Sequence, residues 1–211
     1  MSDATTSVGA ALRFGVQQLG QRLDAEILLA WVLGQTRSQV WAYPERILHP
    51  EHWAHYQTLV AQQAAGVPLA YLTGRREFWS LELQVTPATL IPRPETEMLV
   101  SAALAAVPSA AAKVADWGTG SGAIALALAH ERPQWQVLGL DNSQPALTVA
   151  AQNAQRLGIA NVTWYQADWR EALPTADFDL IVSNPPYLAA DDPHLPQLGH
   201  EPQAALVAGP T

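Results

Sequence analysis

The sequence contains no cysteine, which excludes a disulfide framework and a thiolate metal site. It is also poor in positive charge, with 11 lysine and arginine residues against 19 acidic residues and a formal net charge of -8. A protein that grips nucleic acid through phosphates usually has a basic surface, so a DNA or RNA substrate is disfavoured. No apolar run approaches the length of a membrane span, and the first residues lack the features of a signal peptide. We therefore expect a cytoplasmic protein without a membrane partner.

The chain from about Val8 to Gly66 is predicted to be helical, within a first domain at 1–74. Apolar residues recur at helical spacing in two stretches, with Gly34 closing the first and Pro44 and Pro50 interrupting the path to the second. We expect a small helical bundle whose tryptophan and leucine side chains form the core. The expected core residues are Leu23, Ile27, Leu28, Trp31, Val32, Trp53, Tyr56, Leu59 and Val60.

Three histidines in this region, His49, His52 and His55, are spaced three residues apart. Such spacing can hold a metal, but Pro50 separates the first two and no set of carboxylates or thiols accompanies them. A solvated helix start is the better interpretation, and we expect no metal site.

Residues 66–74 are predicted to be a linker, followed at 75–95 by a strand or hairpin and a proline-rich segment. In Ile91-Pro92-Arg93-Pro94-Glu95-Thr96-Glu97, two prolines flank Arg93 and stiffen the chain before a helix that begins near Thr96. The segment is either a capped helix entry, with Glu95 and Glu97 favouring the dipole, or a rigid strap that lays Arg93 or a glutamate over a site. Spacing favours the first alternative.

Strands and helices alternate within the last predicted domain, residues 96–211. Strands are predicted at 113–117, 135–140, 162–165 and 178–182, with helices at 123–129 and 145–157. Repeated units of this length predict an α/β fold with a doubly wound, Rossmann-like parallel sheet and right-handed crossovers.

A nucleoside-binding pattern follows three of these strands. In Gly118-Thr119-Gly120-Ser121-Gly122 the glycines allow a tight turn, and the N–H groups of the next helix suit an anion. Ala123 completes a dinucleotide pattern, so the loop alone is compatible with NAD or FAD. Asp141 ends the second strand, where an acid meets ribose hydroxyls. Asp168 can accept from an adenine amine, and Trp169 can pack on the ring.

The fourth strand ends in Asn184-Pro185-Pro186-Tyr187. Two prolines cannot continue a strand ladder, so the chain bends and fixes an amide and an aromatic ring in place. The Asn184 side-chain oxygen and the Pro185 carbonyl are adjacent acceptors that suit a planar NH2 group, and Tyr187 offers a face for stacking. Taken alone, the tetrapeptide is equally compatible with a simple proline turn that binds nothing.

Together these motifs resemble the class I S-adenosylmethionine-dependent methyltransferases. The resemblance is carried by Asp116-Trp117-Gly118-Thr119-Gly120-Ser121-Gly122, Asp141, Asp168-Trp169 and Asn184-Pro185-Pro186-Tyr187. With the proline-rich segment and the helical first domain, the chain is similar to the HemK/PrmC-type peptide chain release factor glutamine methyltransferases.

The resemblance implies S-adenosylmethionine as cofactor and class 1 release factors as substrates, with substrate recognition by the helical domain at 1–74. The family methylates the amide nitrogen of the glutamine in a Gly-Gly-Gln loop. Cofactor contact is assigned to Gly118, Thr119, Gly120, Ser121, Gly122, Asp141, Asp168, Trp169 and Asn184. Binding of the target glutamine is assigned to Asn184, Pro185, Pro186 and Tyr187, with Asn184 and Pro185 as catalytic residues.

Three alternatives stay open. The same corner would serve a ribosomal-protein glutamine methyltransferase, or an adenine N6 methyltransferase, although the acidic charge argues against a nucleic-acid substrate. The third is a truncated, non-catalytic nucleoside-binding module, because the last strands and helices of such a domain are missing after residue 187. The strand at 178–182 would then expose apolar surface and an unpaired edge.

Overall fold

The computed structural model describes residues 6–168 and 177–208. The chain forms two compact units, with the boundary between Thr73 and Gly74. Across the described residues, no helix is both long enough and apolar enough to cross a membrane.

The first unit is helical, as predicted. Its helices are α1 (Val8–Leu19), α2 (Arg22–Leu33), α3 (Arg37–Ala42), α4 (Pro50–Ala64) and α5 (Leu69–Thr73). Glycines in the left-handed conformation end α1 and α2, because the helix cannot continue through that backbone geometry. The expectation of a linker at 66–74 is wrong for most of its length, since α5 occupies it.

The core of this unit differs from the predicted one. Tyr56, Leu59 and Val60 are buried as expected, but Leu23 is 50% exposed and Trp31 is 38% exposed. Helix α2 buries Leu28, as expected, on a face that also carries Ala25, Glu26, Leu29 and Ala30. The prediction that the tryptophan and leucine side chains form the core is therefore wrong for part of the set.

Glu26 explains how α2 can turn this face inward. Its side chain is only 2% exposed and pairs with Arg22 at 2.7 Å and with Arg37 at 2.7 Å. Burial acts to raise the pKa of Glu26, but the hydrogen bonds and charges of the two arginines outweigh it and hold the pKa below its ordinary value. A buried carboxylate is tolerated here because both of its oxygens are paired.

The second unit is an α/β domain. It begins with the hairpin β1 (Arg75–Phe78) and β2 (Leu81–Gln84). Next come α6 (Glu97–Ala106), β3 (Lys113–Trp117), α7 (Ala123–Glu131), β4 (Gln136–Asp141), α8 (Gln144–Leu157), β5 (Val162–Gln166) and β6 (Leu180–Ser183). The four later strands form a parallel sheet in the order β5-β4-β3-β6. The predicted Rossmann-like fold with a helical first domain is confirmed.

The strand order has a reversal beside β3. The chain moves outward from β3 through β4 to β5 and then returns to place β6 on the other side of β3. Ligands of open α/β sheets bind at such a switch point, beyond the carboxyl ends of the strands. The register pairs Trp117 with Ser183, so the loops that begin at Gly118 and Asn184 leave the sheet side by side.

The apolar run at 178–183 predicts a buried strand, and this is wrong for most of β6, since only Val182 is buried. Strand β6 is an edge strand within the described residues, and Ile181 is 47% exposed while Val182 is buried. An edge strand has a neighbour on one side only, which leaves part of its surface open. The expectation of exposed apolar surface on this strand is confirmed.

The hairpin turn has an unusual sequence. Trp79 and Ser80 both have positive φ, 52° and 58°, in a position where glycine or asparagine is common. Glu97 in α6 accepts a hydrogen bond from the Trp79 backbone N–H at 2.8 Å, and Glu131 accepts from the indole Nε1 at 2.8 Å. Both glutamates therefore stabilise the turn.

A close approach between two strands fixes the residue type at Gly139. Gly139 in β4 pairs with Trp164 in β5, and a Cβ added to Gly139 would stand 2.4 Å and 2.5 Å from two ring carbons of that tryptophan. The ring also lies 2.9 Å from where a Cβ of Gly122 would be. Trp164 therefore packs where only glycines leave room.

We predict that Gly139→Ala lowers the free energy of unfolding by about 1–3 kcal/mol, because the ring and the strand must move apart. Gly199→Ala is the matched control, since its added Cβ would meet its nearest atom at 3.5 Å and its φ is −61°. Urea unfolding of both variants measures the difference. Equal stabilities of the two variants would contradict this account of the packing.

Candidate functional site

A cavity of about 550 Å³ lies at the carboxyl ends of the parallel strands. Its volume is within the usual range for small-molecule sites, about 300–1,000 Å³. The residues that follow β3, β4 and β6 all contribute to its wall. The site therefore lies where the strand order predicts a ligand.

The structure brings most of the predicted site residues to this one cavity. Those that line it are Gly118, Thr119, Gly120, Ser121, Asp141, Asp168, Asn184, Pro185 and Pro186. Gly122 and Tyr187 are not among the lining residues, and Trp169 lies outside the described residues. The functions assigned to these residues remain predictions.

The glycine loop, residues 118–122, is held open by its backbone. Gly118, Gly120 and Gly122 all have positive φ, from 56° to 83°. The N–H groups of Gly118 and Thr119 both donate to the Leu140 carbonyl, at 2.8 Å and 2.9 Å, which joins the loop to β4. A Cβ added to Gly120 would meet no atom within 4 Å, so the cavity is open beside it.

Asp116 supports the loop from below and was given no function of its own by the sequence. Its Oδ2 accepts from the Thr119 hydroxyl at 2.7 Å and from the Ala125 N–H at 3.1 Å. It thereby caps helix α7, whose own N-cap residue, Gly122, has no side chain. Its Oδ1 is buried and has no hydrogen-bond partner among the described residues.

The burial of Asp116 changes its acidity. Burial raises the pKa of Asp116 to about 6, against the two hydrogen bonds that lower it, and the nearby Asp141 charge adds to the increase. The residue is fully buried, so solvent does little to stabilise the carboxylate.

Asp141 is oriented by two backbone donors. Its Oδ2 accepts from the Gly120 N–H at 2.8 Å, and its Oδ1 accepts from the Ser143 N–H at 2.9 Å. Each carboxylate oxygen keeps further acceptor capacity toward the cavity. Asp141 thus combines two functions, because it fixes the glycine loop and can accept from a ligand hydroxyl.

The proline corner, residues 184–187, begins where β6 is tied to β3. The Ser183 hydroxyl donates to the Trp117 carbonyl at 2.8 Å. Asn184 is half-buried, and its side chain has no hydrogen-bond partner among the described residues. Tyr187 is 75% exposed, and the next residue, Leu188, pairs with Leu206 through a backbone hydrogen bond of 3.0 Å.

Two supporting residues were missed by sequence reasoning. Asn153 in α8 is fully buried; its amide nitrogen donates to the carbonyls of Ser121 and Gln84, and its Oδ1 accepts from the Gln84 N–H. It therefore links the glycine loop to the hairpin. Trp164, described above, is the second. The sequence features that could have indicated them are an asparagine on the apolar face of a helix, for Asn153, and a glycine inside a buried strand, Gly139, for Trp164.

The proline segment, residues 91–96, takes both of the predicted forms. It leads through a short 3-10 turn, Pro94–Thr96, into α6, as the helix-entry interpretation requires. Pro92, Arg93 and Thr96 also line the cavity, whereas Glu95 is exposed. Glu97 stabilises the hairpin turn. Neither Glu95 nor Glu97 is among the lining residues.

We predict a pH-dependent stability that comes from Asp116. Its folded pKa of about 6 lies above the ordinary 3.8, so folding favours the protonated form. The contribution of this preference to the free energy of unfolding is fully present below pH 3.8 and is lost as the pH rises through 6. It amounts to up to about 3 kcal/mol. The difference in unfolding free energy between wild type and Asp116→Asn should therefore change across this window.

Urea unfolding at several pH values from 4 to 7 measures this difference. Asp191→Asn, the same substitution at an exposed position, is the control. A difference for Asp116→Asn that does not vary with pH would show that Asp116 does not titrate there.

Comparison with known proteins agrees with this geometry. The family described as the PrmC N-terminal domain matches residues 10–74, and a methyltransferase domain family matches residues 108–206. Three curated relatives, each called a release factor glutamine methyltransferase, come from Xylella fastidiosa, Coxiella burnetii and Escherichia coli. They are 52%, 50% and 48% identical over 90%, 89% and 93% of this chain.

The chain spans 70%, 68% and 73% of the lengths of these three relatives, in the same order. Identity of this extent over nearly the whole chain leaves one conclusion. The chain belongs to the family of release factor glutamine methyltransferases.

Proposed function

We propose that the chain transfers a methyl group from S-adenosylmethionine to the side-chain amide nitrogen of a glutamine in a peptide chain release factor. The observation that carries the proposal is that the glycine loop and the proline corner line one cavity. A nucleoside site and a pair of amide acceptors are therefore close enough to serve one reaction. The family relation supplies the reaction and the substrate class.

The residues of the cavity fit S-adenosylmethionine. The open space beside Gly120, next to the start of α7, leaves room for the amino-acid end of the cofactor. Asp141 and Asp168 offer acceptors for the ribose hydroxyls and the adenine amine. When bound, the cofactor supplies a methyl group that is activated by a sulfonium.

The proline corner positions the acceptor nitrogen. An amide nitrogen is a weak nucleophile because its lone pair is shared with the carbonyl. Asn184 Oδ1 and the Pro185 carbonyl each accept one of its N–H groups, which directs the nitrogen at the methyl carbon. The same two oxygens stabilise the positive charge that grows on the nitrogen as the new N–C bond forms and the C–S bond breaks. The proton then leaves to water.

The proposed substrate is the glutamine of a Gly-Gly-Gln loop in a class 1 release factor. A glutamine must extend into the cavity to reach Asn184, and neighbouring glycines give the substrate loop the freedom to bring it there. The helical first unit is proposed to recognise the release factor. We place the reaction in the cytoplasm and expect no direct nucleic-acid contact, because the net charge is -8.

We predict that Gly120→Ala weakens S-adenosylmethionine binding by at least about tenfold, because the added methyl group enters the space that the cofactor needs. Gly158→Ala is the matched control: its φ of 67° gives a similar backbone strain of about 1–2 kcal/mol, its added Cβ also meets nothing within 4 Å, and it does not line the cavity. Calorimetric titration measures both dissociation constants. Equal losses of affinity in the two variants would show that backbone strain alone causes the effect.

We also predict that Asn184→Ala lowers turnover on a release factor by about 100-fold or more, since one of two preorganised acceptors is lost. Asn184→Asp keeps an acceptor oxygen and should retain more activity than the alanine variant. Gln152→Ala, which removes an exposed amide from α8, is the control. Mass spectrometry of the methylated glutamine is the measurement, and wild-type turnover in Asn184→Ala would refute the positioning mechanism.

A further inference from the structure

Glu201 is a buried carboxylate far in sequence from the residues that it binds. Its side chain is 3% exposed. One oxygen accepts from the Arg93 guanidinium, and the other accepts from the Ile91 backbone N–H at 3.1 Å. Both partners lie in or beside the proline segment, more than 100 residues earlier in the chain.

The proline segment is also anchored by contacts that do not involve Glu201. Ile91 is buried, and the Pro92 carbonyl accepts a hydrogen bond from Arg76 Nε in β1 at 3.2 Å. The prolines on either side of Arg93 restrict its backbone, which is extended with φ −96° and ψ 142°. Arg93 is thus presented to Glu201 from a stiff support.

Residues that follow Glu201 also line the cavity. Pro202, Ala204, Ala205 and Val207 line it, and Leu206 is buried. This 201–208 segment is joined to the residue that follows the proline corner: the Leu188 N–H donates to the Leu206 carbonyl at 3.0 Å, and the Ala208 N–H donates to the Leu188 carbonyl at 2.9 Å. Movement of the segment would therefore move the corner.

We propose that Arg93 and Glu201 are positioning residues that hold the 201–208 segment against the proline segment, so that the proline corner keeps the geometry needed for the acceptor glutamine. The proposal rests on the proposed function for its substrate. The glycine loop is held by separate hydrogen bonds to Asp116 in β3 and to Leu140 and Asp141 in β4, so we expect loss of Arg93 to act on the acceptor side of the cavity rather than on cofactor binding.

Three variants test the pair. Arg93→Gln and Glu201→Gln each remove one charge and leave the other without its partner, and the double variant removes both. We expect each single variant to raise the KM for a release factor by about 10- to 100-fold, as a small displacement of positioning groups does. The dissociation constant of S-adenosylmethionine should change by less than about threefold in Arg93→Gln and in the double variant, because neither leaves an unpaired guanidinium at the cavity. The KM of the double variant should rise by less than the product of the two single-variant increases, because the residues are coupled.

A charge-retaining variant and a surface pair provide the controls. Arg93→Lys keeps the positive charge and should recover most of the loss seen with Arg93→Gln. Arg75 and Glu82 form an ion pair of 2.9 Å in the hairpin, with side chains 47% and 53% exposed, and neither lines the cavity. Arg75→Gln and Glu82→Gln should leave the KM for the release factor unchanged and show no coupling.

Hydrogen exchange provides a readout without cofactor or substrate. In Arg93→Gln the amides of Leu188 and Ala208 should exchange at least about ten times faster than in wild type, because the segment that protects them is no longer held. Amides of the glycine loop should exchange at unchanged rates. Faster exchange in Arg75→Gln at the same positions would count against the proposal.

Additive losses in the double variant, equal effects on cofactor and release-factor binding, or unchanged exchange at Leu188 and Ala208 would each overturn the proposal. A wild-type chain that binds S-adenosylmethionine but methylates no release factor would refute the proposed function instead. In that case the exchange result still decides whether Arg93 and Glu201 hold the segment.

Discussion

The pairing of β3 with β6 is the constraint on which the site depends. The two strands are parallel and in register from Val114 with Leu180 to Trp117 with Ser183, and the Ser183 hydroxyl closes the pair on the Trp117 carbonyl. The glycine loop continues one strand and the proline corner continues the other. A shift in this register would displace the glycine loop relative to the proline corner, because each loop begins where its strand ends.

The features that the sequence predicts correctly are those that depend on short-range patterns. The strand and helix alternation, the turn at the glycine loop and the end of β6 before the prolines each depend on a few neighbouring residues, and all are present. The partners of buried polar groups depend instead on the folded chain. Nothing near Glu201 indicates Arg93, 108 residues away, and nothing near Asn153 indicates Gln84. The exposure of Leu23 and Trp31 was missed for the same reason, since helical spacing does not say which face the bundle buries.

Three buried carboxylates offset the cost of desolvation in different ways. Glu26 is paired on both oxygens by arginines, and its pKa is lowered. Glu201 takes one arginine and one backbone N–H. Asp116 has only neutral donors and leaves one oxygen without a partner among the described residues, so its pKa rises. Glu26 joins two neighbouring helices and Glu201 joins segments far apart in the chain, whereas Asp116 supports the glycine loop.

The charge around the cavity follows from these arrangements. Asp141 and Asp168 line the side assigned to the cofactor, and Arg93 lines the wall near the proline corner. An unpaired guanidinium there would oppose the binding of a sulfonium, since like charges repel strongly where water is excluded. Glu201 neutralises Arg93 without itself being among the lining residues. The ion pair therefore allows the wall to be rigid without adding positive charge to the place where a positive methyl donor must bind.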